Sequence, residues 1–557
     1  MEIVDKLLLN FDDIFGDKPL ELDAKDLLKY VPREHAIRIG LLLSNTTKDI
    51  PADETIHNLG FETTLPPDII ELLLNRPIHN AEYELELTNI QTGLELLKNA
   101  YSISPKDFKN PRNIFEMNFA LLLAILKINS ELLKNNPRFK DKSGDKFYKH
   151  IRSKKYEIDP RISLYSTFYR ALMLNRFFNT SSDKWRKLRD TFLNTQNLSS
   201  FADYINIIDY LTKDIPFEPR KTNVIFRFHS KGYMTDFLDR LSLTLEEIVS
   251  LKENVDYTAF KNKPFVKLRN YHYGVISNVF VSNLFYLHFR FALSKINSET
   301  GVFKNFQVAF TTEFIQNFLF TGLLEYTFCN EGLLLTDTDC HNRIKYAKQM
   351  YKLLPSYGKC SFESLTNSPP DGYFRKDNKI LLFECKGMMI SQEAILNPSE
   401  CAKVVSKSLI GNHGTGQLLR NCDRIDKHQF LWDEINLENL EVYPILLCDD
   451  YNFSSDGFNR LLNEATKDKL NTITYPITVL DMDTFILASD LIKSGMIDIF
   501  SEIKNYHAYC QRRLSGHSYT LTELLHCQDV SFSVFLMSRY ELKSPEITND
   551  FIKELAE

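Results

Sequence analysis

Between Pro370 and Gly387 the chain reads PDGYFRKDNKILLFECKG, and three side chains in it suit chemistry on a phosphate: Asp371, Glu384 and Lys386. Two carboxylates are hard oxygen ligands for Mg²⁺ or Mn²⁺, and Mg²⁺ keeps several waters when it binds. Such an ion lowers the pKa of a bound water and neutralises charge on a phosphate. An ammonium beside that water steadies the negative charge that develops as it attacks. The chemistry needs all three groups on one surface, and the sequence supplies the means. Lys376-Asp377-Asn378-Lys379 is a polar turn signal flanked by strand-like residues, so the stretch reads as a β-hairpin, with Asp371 on the first strand and Glu384 and Lys386 on the second. Alternation along the second strand puts Leu382, Glu384 and Lys386 on one face and Leu381, Phe383 and Cys385 on the other. Charges at the end of an apolar strand are costly when buried without partners, and a solvent-reachable cation site removes that cost. Cys385 points away from the acids and reads as core packing, not as a nucleophile.

Pro370-Asp371, followed by Glu384-Cys385-Lys386 at the end of an apolar strand, resembles the motif of the PD-(D/E)xK nuclease superfamily, the restriction-endonuclease-like fold. The resemblance covers roughly residues 300 to 485. A second Glu-x-Lys triplet, Glu541-Leu542-Lys543, has neither an upstream partner acid nor an apolar strand. The resemblance implies an α/β domain with a mixed sheet flanked by helices in the order αβββαβ. It also implies a Mg²⁺- or Mn²⁺-dependent nuclease acting on DNA. Asp371 and Glu384 would hold the metal, the Cys385 backbone carbonyl would add a ligand, and Lys386 would position or help activate the water. Many members carry a glutamine on the helix after the motif strand, which Gly416-Gln417-Leu418 resembles, so Gln417 joins the site. A helix before the hairpin often supplies a further acid; by position that is Glu313, with Glu325 as its rival. Long helical additions to such a core suggest, by fold-level analogy, prokaryotic restriction or anti-phage defence. Repair or recombination nucleases share the chemistry. The alternative is a catalytically idle fold serving as a nucleic-acid-binding or scaffolding module.

The chain has 557 residues, enough for more than one domain. Its formal net charge is −6, so any surface that holds a polyanion must be local. The richest basic stretch runs from Lys134 to Lys155, where Lys146, Lys149, Arg152 and Lys154 are interleaved with Phe147, Tyr148 and His150. Cations neutralise phosphates and aromatics stack on bases, which makes these four residues the nucleic-acid-binding candidates. The competing reading is a solvated helix face. All nine cysteines lie at or after Cys329, and the odd count argues against a disulfide framework and for a reducing cytoplasm. Cys329, Cys340, His341 and Cys360 lack zinc-site spacing. No Walker A pattern is present. The N-terminus lacks a signal-peptide layout, Phe119–Leu126 is too short to span a bilayer, and Val279–Leu293 is broken by His288 and Arg290, so no membrane association is expected. DNA is the expected partner, with self-association and an activating protein left open.

These readings give three parts: a mostly α-helical N-terminal domain over 1–295 for nucleic-acid or partner binding, the nuclease domain over 296–485, and a helical extension over 486–557. Within them the patterning predicts a helix from Ile114 to Lys134, a strand over Glu82–Leu87 and a helix over Phe303–Phe328. After the hairpin it predicts strands at Glu441–Leu447 and Ile473–Leu480 around a helix at Asn459–Lys467, a parallel pair with a crossover.

Overall fold

The computed structural model describes residues 5–16, 21–45, 52–74, 83–135, 164–213, 225–244, 247–248, 257–329, 331–353, 369–389, 397–411, 414–427, 430, 432–433, 439–450, 453, 457–514, 531–540 and 542. Lys146, Lys149, Arg152 and Lys154 lie outside these residues. The described residues fall into two compact units. The first comprises residues up to Ile296 without Leu172–Lys184; the second comprises Leu172–Lys184 and everything from Asn297 onward.

The first unit is built mainly of helices, as its patterning suggests. The apolar run after Ile114 forms the helix Ile114–Asn135. Asn129 on that helix donates to the carbonyls of Leu9 and Leu87 at 2.6 and 2.9 Å. It thereby holds the ends of a parallel strand pair, Asp5–Leu8 with Tyr83–Glu86. Asp23 caps the helix Ala24–Leu28 by accepting from the Asp26 N–H at 2.7 Å. Patterning did not reveal this unit's second sheet, four short strands in the order Ile225–Arg227, His272–Val275, Phe265–Arg269, Ser242–Leu243. The segment Val279–Leu293 forms helical turns that are mostly buried, Arg290 included, with Phe291 exposed, and no helix among the described residues is long and apolar enough to cross a membrane.

The second unit is mixed α/β. Its first helix, α1, covers 306–328 and is unusual: Phe306–Ala309 and Thr321–Phe328 are α-helical, while Phe310–Phe320 between them is π-helical. Strand β1 (Leu333–Thr336) and helix α2 (Asp337–Leu353) follow. The expected hairpin is β2 (Gly372–Lys376) and β3 (Lys379–Lys386), turning through Asp377 at φ +54°. Then come α3 (Pro398–Val405), α4 (Thr415–Asp426), β4 (Glu441–Cys448), α5 (Phe458–Thr466), β5 (Thr478–Asp481), α6 (Met482–Lys493), α7 (Ile499–Leu514) and α8 (Phe532–Tyr540).

The five strands lie in the order β5-β4-β3-β2-β1. β2 runs antiparallel to both β1 and β3, and β3, β4 and β5 run parallel. β3 is central and covered on both faces, which explains its unbroken apolar run. Ile380 and Leu382 pack with Leu418, Cys422 and Ile425 of α4 and with Phe458 and Leu462 of α5. On the other face Phe383 meets Phe320 and Phe328 of α1 and Phe485 of α6, with ring centroids 5.9 to 6.2 Å apart. β5 is shorter than the predicted Ile473–Leu480. Val442 pairs outward with Ile473 and Tyr475 through both its N–H and its carbonyl. Two residues on, Pro444 faces the same way without an N–H, so the ladder resumes only at Ile445 with Thr478.

Phe383 is 1% exposed and surrounded by three aromatic rings. Phe383→Ala is expected to destabilise the second unit by about 3–5 kcal/mol. The chain has two tryptophans, so with Trp185 replaced by Phe, Trp432 fluorescence reports this unit's unfolding by denaturant. An unchanged midpoint would remove Phe383 from the packing argument.

Candidate active site

The hairpin register brings the two acids together. Gly372 pairs with Phe383 at the end of the β2–β3 ladder, and one step further Asp371 stands beside Glu384. The Cys385 N–H donates to Asp371 Oδ2 at 2.8 Å, which fixes the Asp371 carboxylate against β3. Lys386 Nζ donates to Glu384 Oε1 at 2.5 Å. Glu384 is 1% exposed, the Lys386 side chain 17%, and Asp371 is half-buried, so the cluster opens to solvent through Lys386 and Asp371. Asp371, Glu384, Lys386 and the Cys385 carbonyl thus form one group at the carboxyl end of the central strand.

Helix α1 completes it with a residue that sequence reasoning missed. Gln316 Nε2 donates to the Cys385 carbonyl at 3.0 Å and to Asp371 Oδ2 at 3.3 Å. Five residues earlier, Thr311 Oγ1 donates to the Gly387 carbonyl at 3.4 Å. Residues five apart share a face in a π-helix, whose hydrogen bonds run i to i+5. That period sends Thr311 and Gln316 to β3, while Glu313 between them is exposed on the helix surface. Gly387 permits the approach, because a Cβ there would sit 2.7 Å from Ile315 Cδ1 and 2.8 Å from Thr311 Cγ2. On α4, Gln417 is buried and donates to the Pro369 carbonyl at 3.1 Å, tying that helix to the segment that carries Asp371. Gly416 beside it packs so tightly on Gly411 that a side chain could not fit. Asp337, at the start of α2, donates its N–H to the Asp371 carbonyl at 3.2 Å. Its sequence context carries no signal beyond that of a first-turn acid.

Burial pushes Glu384 up to about 8; the Asp371 charge adds to this and Lys386 opposes it. Burial also pushes Asp371 up to about 6, against Lys386, the Cys385 N–H and Gln316, with Asp337 reinforcing the rise. Burial alone would lower Lys386, but the two carboxylates outweigh it and hold the ammonium above its usual value. Burial raises the Cys385 thiol far above the ordinary range, which suits packing and not nucleophilic attack.

A divalent cation fits these residues. Glu384 Oε2 is buried and has no hydrogen-bond partner, although it is an acceptor next to a second carboxylate. An acceptor placed there needs a proton or a cation. The oxygen donors are the hard type that Mg²⁺ and Mn²⁺ take. Among the described residues no group of three or more His, Cys, Asp or Glu is placed to hold a metal. Waters and substrate phosphate oxygens would therefore fill the remaining positions, as is usual for Mg²⁺.

Comparison of the chain with protein-family models, with curated proteins and with solved structures finds no match.

Both acids titrate above their unfolded values, so the folded state binds more protons between about pH 4 and pH 8, and stability falls as pH rises through that window. Glu384→Gln cannot ionise. In EDTA at pH 8 it is expected to melt several degrees above wild type, at roughly 2–4 °C per kcal/mol for a unit of this size. The gap should close near pH 5, where Glu384 is protonated in the folded protein. Mg²⁺ should raise the melting temperature of wild type at pH 8 and leave the variant unmoved. A variant that melts at or below wild type would make the Glu384–Lys386 pair a stabilising element instead.

Proposed function

We propose that this chain is a Mg²⁺- or Mn²⁺-dependent nuclease that hydrolyses DNA phosphodiester bonds. The observation that carries the reading is the meeting of Asp371, Glu384 and Lys386 at the end of β3, with one Glu384 oxygen buried and unpartnered. The strand order and directions support it, since they accord with the restriction-endonuclease-like core that the Pro370-Asp371 and Glu384-Cys385-Lys386 motif implies.

Asp371, Glu384 and the Cys385 carbonyl would hold the cation, which when bound supplies an acidified water and charge neutralisation at the phosphate. The chain's own residues do the rest. The Cys385 N–H and Gln316 fix the Asp371 carboxylate, so its orientation does not depend on a mobile rotamer. Lys386 remains an ammonium through its two acid neighbours. It donates to the attacking water, orienting its lone pair, and offsets negative charge as the phosphate is attacked. Gln417 acts at one remove, by anchoring the Pro369 carbonyl two residues before Asp371. DNA is held in this reading by Lys146, Lys149, Arg152 and Lys154. The setting in restriction or anti-phage defence rests on analogy with the fold alone.

A second reading has one observation in its favour. Glu384 is nearly inaccessible and already paired with Lys386, as in a buried structural ion pair. That suits an idle fold that binds or scaffolds.

Purified chain incubated with plasmid, linear duplex, single-stranded DNA and RNA in Mg²⁺, Mn²⁺ or EDTA separates the two. Cleavage of DNA with either metal and none in EDTA is expected, with Asp371→Ala and Glu384→Ala at background. Lys386→Ala should keep cation binding by calorimetry and lose turnover. Cation binding without cleavage of any substrate would favour the idle fold, and wild-type cleavage by either alanine variant would sink the assignment.

Replacing Lys146, Lys149, Arg152 and Lys154 with Glu should weaken DNA binding for every sequence and flatten its salt dependence. Identical affinity and slope would take these residues out of the DNA path.

A further inference from the structure

The first unit contains a cavity of about 480 Å³ lined by Asn197, Ser199, Asp203, Asn206, Tyr210 and Tyr233, with Ile207 and Met234 at its apolar side. Its construction follows from local sequence. The helix Asp183–Gln196 stops at Asn197, whose φ of +53° turns the chain sharply. The next helix, Phe201–Lys213, then places Asp203, Asn206, Ile207 and Tyr210 at i, i+3, i+4 and i+7, all on one face. The helix Tyr233–Arg240 brings Tyr233 and Met234 in its first turn.

Both tyrosines are left in the open. Tyr210 is 50% exposed and Tyr233 43%. The surrounding core is not short of space for aromatics: Phe192, Phe201, Tyr204 and Phe237, from the same helices and the turn between them, are all buried. Two exposed rings at the rim of a concave site are therefore surfaces on which a planar ligand can stack. The polar lining carries groups that read an edge. Asp203 is an acceptor only, the Asn197 and Asn206 amides both donate and accept, and Ser199 does either. A cation flanks the rim. Arg240 donates from Nη2 to the Gln196 carbonyl at 2.9 Å, next to Asn197, and from Nε to Gln196 Oε1 at 3.3 Å. Its charge and that of Asp203 are both felt at Tyr233.

We propose that this cavity binds a nucleobase that carries a phosphate. Tyr210 and Tyr233 stack on the base, Asp203 and Asn206 take its amino-bearing edge, and Arg240 pairs with the phosphate. The volume suits one nucleotide, within the usual range of about 300–1,000 Å³ for small-molecule sites. Arg240 also decides against the other ligand class that tyrosines and a carboxylate can hold, an organic cation over the rings, because it would repel one. The assignment does not depend on the nuclease reading. It applies equally to a free nucleotide and to an unpaired base in a strand.

Calorimetry on the full chain in EDTA, which prevents metal-dependent hydrolysis, tests it with AMP, GMP, CMP, UMP, inorganic phosphate, spermidine and deoxyadenosine and thymidine decamers. AMP, GMP or CMP, or the deoxyadenosine decamer, should bind at least tenfold more tightly than inorganic phosphate, and UMP or the thymidine decamer should bind about tenfold more weakly than its amino-bearing counterpart. Tyr210→Ala and Tyr233→Ala should each weaken binding by about tenfold or more, and Tyr210→Phe should retain it because the stacking face remains. Asp203→Asn should abolish the discrimination against UMP. Saturation by mononucleotides identifies a free nucleotide as the ligand, and binding of the decamers alone identifies a strand; both support the site. Tyr210 is exposed, so an unchanged melting temperature confirms that its alanine variant is folded. Binding of spermidine but of no nucleotide, binding unaffected by either tyrosine, or no binding of any base-containing probe would overturn the assignment.

Discussion

Two carboxylates set side by side in an apolar sheet, with one ammonium between them and solvent, are the constraint around which the second unit is built. Burial disfavours ionising Asp371 and Glu384 together, and their raised proton affinities express this even though Lys386 and, at Glu384, Arg420 oppose it. The neighbours relieve this conflict only in part. The Cys385 N–H and Gln316 satisfy one Asp371 oxygen, Lys386 satisfies one Glu384 oxygen, and the second Glu384 oxygen is left over. A sheet selected for stability alone would place an apolar residue at position 384, where Leu382 and Leu446 already pack. The unpartnered oxygen is thus a local cost that a proton or a cation offsets.

The hairpin and its two acids were legible because they depend on short-range rules. A polar turn, an apolar run and period-two alternation fix which residues share a face, and the register follows from the turn. The helix before the hairpin, the parallel pair and the crossover helix were readable for the same reason. What failed were features decided by geometry beyond the local period. The resemblance implied a further acid from the helix before the hairpin, Glu313 or Glu325, but a π-helical segment re-phases α1 and delivers Gln316, while Glu313 is exposed. The strand Leu333–Thr336 was not anticipated, because its four residues carry too little pattern to be told from a loop. The four-stranded sheet of the first unit escaped for that reason too, its strands being two to five residues long. The early start assigned to β5 overlooked Pro444, which has no N–H to give that strand.

The π-helical segment bears on how the site keeps its shape. In an α-helix over the same residues, Thr312 and Glu313, four and three positions earlier, would share a face with Gln316. Thr311 would then turn away from that face, and Gln316 could not hold Asp371 and the Cys385 carbonyl while Thr311 held Gly387. The wider period lets two side chains, one turn apart, bracket the last residues of β3. Such segments are rare and recur at functional sites, since they give up hydrogen-bond quality for side-chain placement. Gly387 is the matching concession from the strand, because any side chain there would push α1 away. Helix and strand therefore each carry a local penalty at the same point. The interaction they jointly secure is the orientation of Asp371 relative to Glu384, the pair that no structural requirement of the sheet explains.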